Sequence, residues 1–219
     1  MLHVVVATRN RHKLNELAAL LNVRGIRWHS LAEYPRVGAV RETGRTFDAN
    51  AIKKAMAVAR ATKGFALADD SGLEVDALRG APGVKSARFA GRHGNDQANN
   101  AKLLRLLRGR PAPERGARYR CSLALANGSR LLAVTQGTWE GRIAEAPAGR
   151  KGFGYDPVFL VPRFGKTVGQ LSAPLKRRMS HRAMAAAGMR IVLRRLARGA
   201  TAPRRAGSGS DRRSSARAA

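Results

Sequence analysis

Residues 119–126 and 130–138 are rich in β-forming side chains and flank Asn127-Gly128. No other stretch of the chain restricts the fold so tightly. An Asn-Gly pair between two such runs specifies a two-residue hairpin of type I′, so the chain must contain an antiparallel strand pair. Read alone, this hairpin is scaffold. The remaining segments decide what surrounds it. Residues 4–7 form an apolar run that reads as a buried strand. A helix follows, with Asn10 as its N-cap and Leu14, Leu17, Ala18 and Leu21 on its apolar face. Residues 26–30 suit a second strand, and Pro35 and Gly38 mark a loop. Residues 46–63 predict a helix that turns Ile52, Met56 and Ala59 inward. Residues 65–68 read as a short buried strand closed by a tight turn at Ser71-Gly72. A further helix starts at Asn95 or Asp96, runs to about Arg108 and buries Leu103, Leu106 and Leu107. Residues 158–161 suit another strand. A last helix, N-capped by Ser180, buries Ala185, Met189, Val192, Leu193 and Leu196. Strands alternating with amphipathic helices around a hairpin indicate an α/β protein.

From Gly199 the chain is almost entirely Ala, Arg, Ser and Gly, without the apolar residues a core needs. The expected organisation is therefore one domain over residues 1–198 and a disordered basic tail over 199–219. The formal net charge is +28, and only four of those charges fall in the last 21 residues, so the body itself is basic. Such a charge suits nucleic acid bound through its phosphates, or a small polyanion beside a solvated basic surface. Cys121 is the only cysteine, which excludes an intramolecular disulfide and fits a reducing compartment. The apolar run at residues 2–7 is too short for a signal peptide, and no window approaches a membrane span. A cytoplasmic location follows as the expectation.

Several segments carry chemistry. Four of the chain's 14 acidic residues, Asp69, Asp70, Glu74 and Asp76, crowd into residues 69–76. Adjacent carboxylates at the end of a strand are placed to hold a divalent cation or to act as a base; they also suit a charged turn that caps local amides. Thr8, Asn10 and Lys13 lie where a strand turns into a helix, a geometry that attracts phosphate, though a plain capped surface helix has the same pattern. Asn50 and Lys54 share a helix face that reads as solvated surface. Residues 148–157 form a Gly-rich loop in which Phe153 and Tyr155 offer flat faces to a base, or fold onto the core. His181 and Arg182 open the last helix beside Lys176, which suits an acceptor-rich ligand; a lone histidine there would be structural. Gly165-Lys166-Thr167 resembles the end of a phosphate-binding loop, but Leu160 stands where that motif needs glycine.

Taken in order, Ala7-Thr8-Arg9-Asn10-Arg11-His12-Lys13, Phe47-Asp48-Ala49-Asn50-Ala51-Ile52-Lys53-Lys54-Ala55, Ala68-Asp69-Asp70-Ser71-Gly72-Leu73, Gly83-Val84-Lys85-Ser86-Ala87-Arg88, Gly152-Phe153-Gly154-Tyr155-Asp156-Pro157 and Ser180-His181-Arg182 form a set. This set resembles the inosine/xanthosine triphosphate pyrophosphatase family over residues 2 to about 197. The resemblance implies an α/β fold with a long mixed central sheet flanked by helices, two lobes and an active-site cleft between them. It implies a homodimer that uses Mg²⁺ to hydrolyse deaminated purine nucleoside triphosphates (ITP, dITP, XTP) to the monophosphate and pyrophosphate, keeping them out of DNA and RNA. By the same resemblance Thr8, Arg9, Asn10, Arg11, His12 and Lys13 cradle the triphosphate and Lys54 adds charge. Glu42 and Asp70 bind the metal, Asp70 is also the general base, and Ser71 lies near the substrate. Phe153, Gly154, Tyr155, Asp156, Lys176, His181 and Arg182 surround the base. Arg9 departs from the small residue common at its place, and Arg177-Arg178 makes the base-side loop unusually basic. Two other classes compete. A nucleic-acid binder is favoured by the charge and disfavoured by an aromatic content of 5%. A phosphatase of the Asp-x-Asp type needs a spacing that Asp69-Asp70 lacks. Weak nonspecific contact with nucleic acid through the basic surface and tail is compatible with the enzyme reading.

Overall fold

The structure is a computed structural model that describes residues 1–9 and 11–201, leaving out the side chains of residues 11, 12, 200 and 201. In chain order the main elements are β1 (Leu2–Val6), α1 (Arg11–Leu21), β2 (Ile26–Ser30), α2 (Phe47–Thr62), β3 (Phe65–Val75), α3 (Asp96–Leu106), β4 (Gly116–Asn127), β5 (Arg130–Ile143), β6 (Phe159–Val161), β7 (Lys166–Thr167), α4 (Ala173–Met179) and α5 (His181–Thr201). The strands form one mixed sheet in the order β2-β1-β3-β4-β5-β6-β7. β1 runs parallel to β2 and β3, and every pairing from β3 onward is antiparallel. A parallel start needs helical crossovers, which α1 and α2 supply, and the antiparallel remainder is carried by the hairpin. No helix among the described residues is long and apolar enough to cross a membrane.

β3 is the axis of the molecule. Its side chains alternate between the two sheet faces, as any strand's must. Leu67 packs with Leu123, Leu125, Leu17 and Met189 on the face covered by α1 and α5. Ala66 and Ala68 pack with Ala51, Ala55 and Val58 on the face covered by α2. A third cluster, including Leu73, Val75, Tyr119, Trp139 and Phe159, fills the far half of the sheet. α5 is seated tightly on β5: a Cβ at Gly137 would overlap the carbonyl oxygen of His181 and lie 2.7 Å from the Ala185 nitrogen. Glycine there lets the first turn of α5 touch the strand.

The structure corrects several expectations. β3 does not stop at Ala68 but continues through Asp69, Asp70, Ser71 and Gly72 to Val75 in unbroken pairing with β4. Gly72 is therefore not a turn residue. A Cβ there would overlap Ser86 Oγ and sit 2.8 Å from the Gly83 carbonyl, so glycine admits the 83–88 segment against the strand. The hairpin turn is also different. Asn127 pairs with Arg130, which leaves Gly128 and Ser129 as the turn. Only Gly128 has positive φ, at 55°, the φ pattern of a type II′ turn rather than I′. In α2 the buried face is Phe47, Asn50, Ala51, Lys54, Ala55, Val58 and Ala59, so the Asn50–Lys54 pair points inward, while Ile52 and Met56 are only partly buried. Leu106 is 45% exposed at the end of α3, whereas Leu103 and Leu107 are buried. Lys176 to Arg178 belong to helix α4, not to a loop. α5 extends to Thr201, past the boundary expected at residue 198; residues 202–219 lie outside the described residues.

Candidate active site

Because β3 is continuous, Asp69 and Asp70 face opposite sides of the sheet, and each is met by a different set of cations. On the α1/α5 side, Asp69 accepts from Lys13 Nζ at 2.8 Å, from Arg182 Nε at 3.2 Å, from Ser71 Oγ at 3.2 Å and from Cys121 Sγ at 3.3 Å. Arg182 extends this web to Ser71 Oγ at 2.7 Å and to Glu16 at 3.2 Å. Burial on its own would raise the Asp69 carboxyl, but the Lys13 and Arg182 charges overcome it and hold the group well below the usual aspartate range. Cys121 moves the other way: burial and the Asp69 charge push its thiol well up. It is a packed, protonated residue and not a nucleophile.

On the α2 side, Lys54 Nζ gathers three acceptors: Asp70 Oδ1 at 2.9 Å, Glu42 Oε1 at 3.0 Å and the Asp69 carbonyl at 2.6 Å. Asn50 donates to the other Asp70 oxygen at 3.2 Å, and is itself fixed by the Gly44 N–H at 2.7 Å. Burial lowers the Lys54 ammonium's affinity for its proton, yet the surrounding Asp70, Glu42 and Asp69 charges raise it on balance. Glu42 is lowered: its burial is outweighed by Lys54. Asp70 is raised, first by burial, with the Glu42 and Asp69 charges adding to it against the pull of Lys54. A carboxylate with a raised pKa is one suited to exchange a proton.

The third part is the 152–156 loop. Asp156 is its anchor, accepting from Lys176 Nζ at 2.5 Å, the Phe153 N–H at 2.9 Å and Tyr119 OH at 3.1 Å. The Phe153 ring is 38% exposed. Lys176 Nζ lies 4.6 Å and the Arg182 guanidinium 5.3 Å from its centroid. Tyr155 is buried and donates to the Ser86 carbonyl at 2.8 Å. His181 stacks on Tyr119 with centroids 4.7 Å apart. Burial and the Arg182 charge hold its imidazole well below the usual histidine range, so it is neutral, and its buried Nδ1 has no hydrogen-bond partner among the described residues.

One cleft of about 630 Å³ connects these parts, lined among others by Thr8, Lys13, Glu42, Asp70, Phe153 and His181. Thr8 and Arg9 border it at the end of β1, where Arg9 donates to the Val37 carbonyl at 2.7 Å. Lys54, Ser71, Gly154, Tyr155, Asp156, Lys176 and Arg182 line it as well. Asn10 and the side chains of Arg11 and His12 lie outside the described residues. Lys166 and Thr167 form β7 and take no part in the cleft. Arg182, expected at the base, makes its hydrogen bonds to Asp69, Ser71 and Glu16, with its Cζ 5.3 Å from the Phe153 ring centroid.

The model of the Ham1 family matches residues 4–191. The chain belongs to the Ham1 family. A dITP/XTP pyrophosphatase of Geobacillus kaustophilus is 51% identical over 185 residues, covering 84% of this chain and 91% of that protein. One of Desulforamulus reducens is 49% identical over 193 residues, 88% of this chain and 96% of that protein. Among solved structures, a Ham1 protein from Coxiella burnetii superposes with a TM-score of 0.82 at 40% identity, over 88% of this chain and 98% of the other. Two residues that hold carboxylates of this Ham1 cleft, Asn50 on Asp70 and Tyr119 on Asp156, are not assigned to a site by the sequence. Asn50 looks like solvated surface, and Tyr119 looks like part of a scaffold hairpin. Asp69 cannot be told from its neighbour without knowing which way each side chain points. The signal that was available is the alternation of β3 itself, once the strand is carried past Ser71.

Proposed function

We propose that the chain hydrolyses deaminated purine nucleoside triphosphates, ITP, dITP and XTP, to the monophosphate and pyrophosphate, with Mg²⁺ as cofactor. The observation that carries this reading is the pair of neighbouring carboxylates, Asp69 held between Lys13 and Arg182 and Asp70 converging with Glu42 on Lys54, in the cleft of a Ham1 chain about 50% identical to named dITP/XTP pyrophosphatases. The donor set fits the metal. Glu42 and Asp70 already converge on one positive centre, the Lys54 ammonium, and Mg²⁺ characteristically takes one or two carboxylates together with substrate phosphates. When bound, it would neutralise phosphate charge and acidify the attacking water.

The protein's own residues do the rest. A triphosphate brings about four negative charges, and Lys13, Lys54 and the β1–α1 turn at Thr8 and Arg9 offset them. Asp70 orients the water and takes its proton, a role suited by its place in the cleft, fixed by Lys54 and Asn50. Attack at the α phosphorus leaves pyrophosphate on the Lys13 side. Phe153 stacks on the purine, and Lys176, Arg182 and the neutral His181 stand nearby. Hypoxanthine and xanthine present a 6-keto acceptor to Lys176 and His181. Adenine presents a 6-amino group that cannot accept from them, a mismatch worth about 10²-fold or more. The working form is a cytoplasmic homodimer, and the net charge of +28 supports weak nonspecific contact with nucleic acid.

The test is product analysis with ITP, XTP, GTP and ATP in the presence of Mg²⁺. Pyrophosphate from ITP and XTP far ahead of ATP is expected. Release of orthophosphate, or equal cleavage of ATP, would overturn the reading.

A further inference from the structure

Helix α3 takes no part in the sheet, and its polar side chains are used on loops. Asp96 Oδ2 accepts the Gly154 N–H at 2.6 Å. One turn further on, Asn100 Nδ2 donates to the Gly154 carbonyl at 3.0 Å. The two side chains therefore grip the peptide groups on both sides of Gly154, the ones that carry Phe153 and Tyr155. Gly154 itself has φ of 63° with open space where a Cβ would stand, so its conformation, not its size, is what the loop requires.

Neither contact is explained by the needs of the helix. Asn95 already caps it, accepting from the Ala98 N–H at 3.0 Å, so Asp96 is not needed as a cap. Asn100 is buried, and its Oδ1 has no partner among the described residues. A side chain kept at that cost is kept for its other end. The same helix holds a second loop, with Asn99 Oδ1 accepting the Ala90 N–H at 2.7 Å and Lys102 donating to the Phe89 carbonyl at 2.6 Å. That second loop meets the first where Tyr155 OH reaches the Ser86 carbonyl.

We propose that Asp96 and Asn100 are positioning residues that set the 153–156 loop against the nucleobase, so that the choice among purines is made partly by α3. This rests on the function proposed above. The loop keeps a second anchorage through Asp156, to Lys176 and Tyr119. Removing the α3 grip should therefore let it rotate rather than unfold, and the loss should appear in recognition of the base before it appears in turnover.

The experiment compares wild type with Asp96→Ala, Asn100→Ala and Asp96→Asn. Alanine is the best helix former, so α3 persists in both truncations. In each truncation the 152–156 segment should exchange its amide hydrogens about tenfold faster or more, with the sheet unchanged. The KM for ITP should rise about tenfold with kcat within about threefold, and the ITP-to-GTP ratio of kcat/KM should narrow. Asp96→Asn keeps an acceptor and should stay close to wild type. A role confined to stability would lower the melting temperature and the active fraction but leave KM and the ratio alone. Unchanged exchange, or unchanged KM and ratio, in folded Asp96→Ala and Asn100→Ala overturns this inference while the proposed activity stands. A wild-type protein that releases no pyrophosphate from ITP removes both.

Discussion

The two faces of β3 treat chemically identical side chains in opposite ways. On the α1/α5 face Asp69 is enclosed by Lys13, Arg182, Ser71 and Cys121, and its pKa is driven down. On the α2 face Asp70 shares Lys54 with Glu42, and its pKa is driven up. Both residues are 6% exposed, and the Asp69 side chain is the more deeply buried, so burial does not explain the direction. The cations do. Asp69 is met by Lys13 and by Arg182, which it shares with Glu16; Asp70 is met by Lys54, which it shares with Glu42. A single peptide bond on a strand is enough to put a carboxylate held low and one pushed high side by side, because the sheet keeps their surroundings apart.

The sharpest way to test that contrast is Asp70→Asn. Pyrophosphate release from ITP should fall about 10²-fold or more, while urea denaturation places the variant within about 1 kcal/mol of wild type. Activity above about a tenth of wild type would remove Asp70 from the chemistry. Next in size is Asp69→Asn, which strands the buried Arg182 guanidinium with only Glu16 as its carboxylate. A loss of about 3 kcal/mol is expected in the same urea measurement. A neutral outcome would mean that the Asp69 web carries no net stability.

The pH dependence of these differences should have opposite signs. Asp69 has a depressed pKa, so its contribution is complete above the ordinary aspartate value of 3.8 and is lost as pH falls through its lower folded value. The gap between wild type and Asp69→Asn should thus hold from pH 7 down to about 4 and close below that. Asp70 has a raised pKa, so any stability it contributes is fully present below 3.8 and is lost as pH rises through its folded value. Asp70→Asn should therefore gain on wild type as the pH is raised through that window. Two difference curves of the same sign would break the comparison. The smallest effect belongs to Ser71→Ala, which removes one bond to Arg182 and one to Asp69. A rise of a few-fold in KM for ITP and a loss of about 1 kcal/mol are expected from steady-state kinetics and melting.

Much of this was legible before the structure, and the failures share a cause. The strand–turn–helix at the N-terminus, helix α2, the hairpin and the Ser180-capped α5 all follow from local periodicity and turn or capping residues, which report on neighbours in sequence. Ser71-Gly72 was misleading because its glycine serves a contact with Gly83 and Ser86, and no local pattern records that approach. Asn50 and Lys54 looked solvated because their partners, Asp70 and Glu42, arrive from other parts of the chain. The hairpin was found but its turn was displaced by one residue, since Asn127 still pairs with Arg130. The family resemblance names residues from distant parts of the chain that the cleft brings together, among them Thr8, Lys13, Glu42, Asp70, Phe153 and His181; the different surroundings of Asp69 and Asp70 are not legible, because they depend on which helix faces which side of β3.

Gly137 offers a different view of the same molecule. It has no side chain, lies on β5, and is only the platform on which the first turn of α5 rests. Any larger residue there must displace the backbone of His181, and Arg182 follows it. In a random-mutagenesis screen for lost activity, position 137 should therefore score alongside the residues of the cleft. A geneticist mapping the hits without a structure would assign to it a chemistry that it does not have.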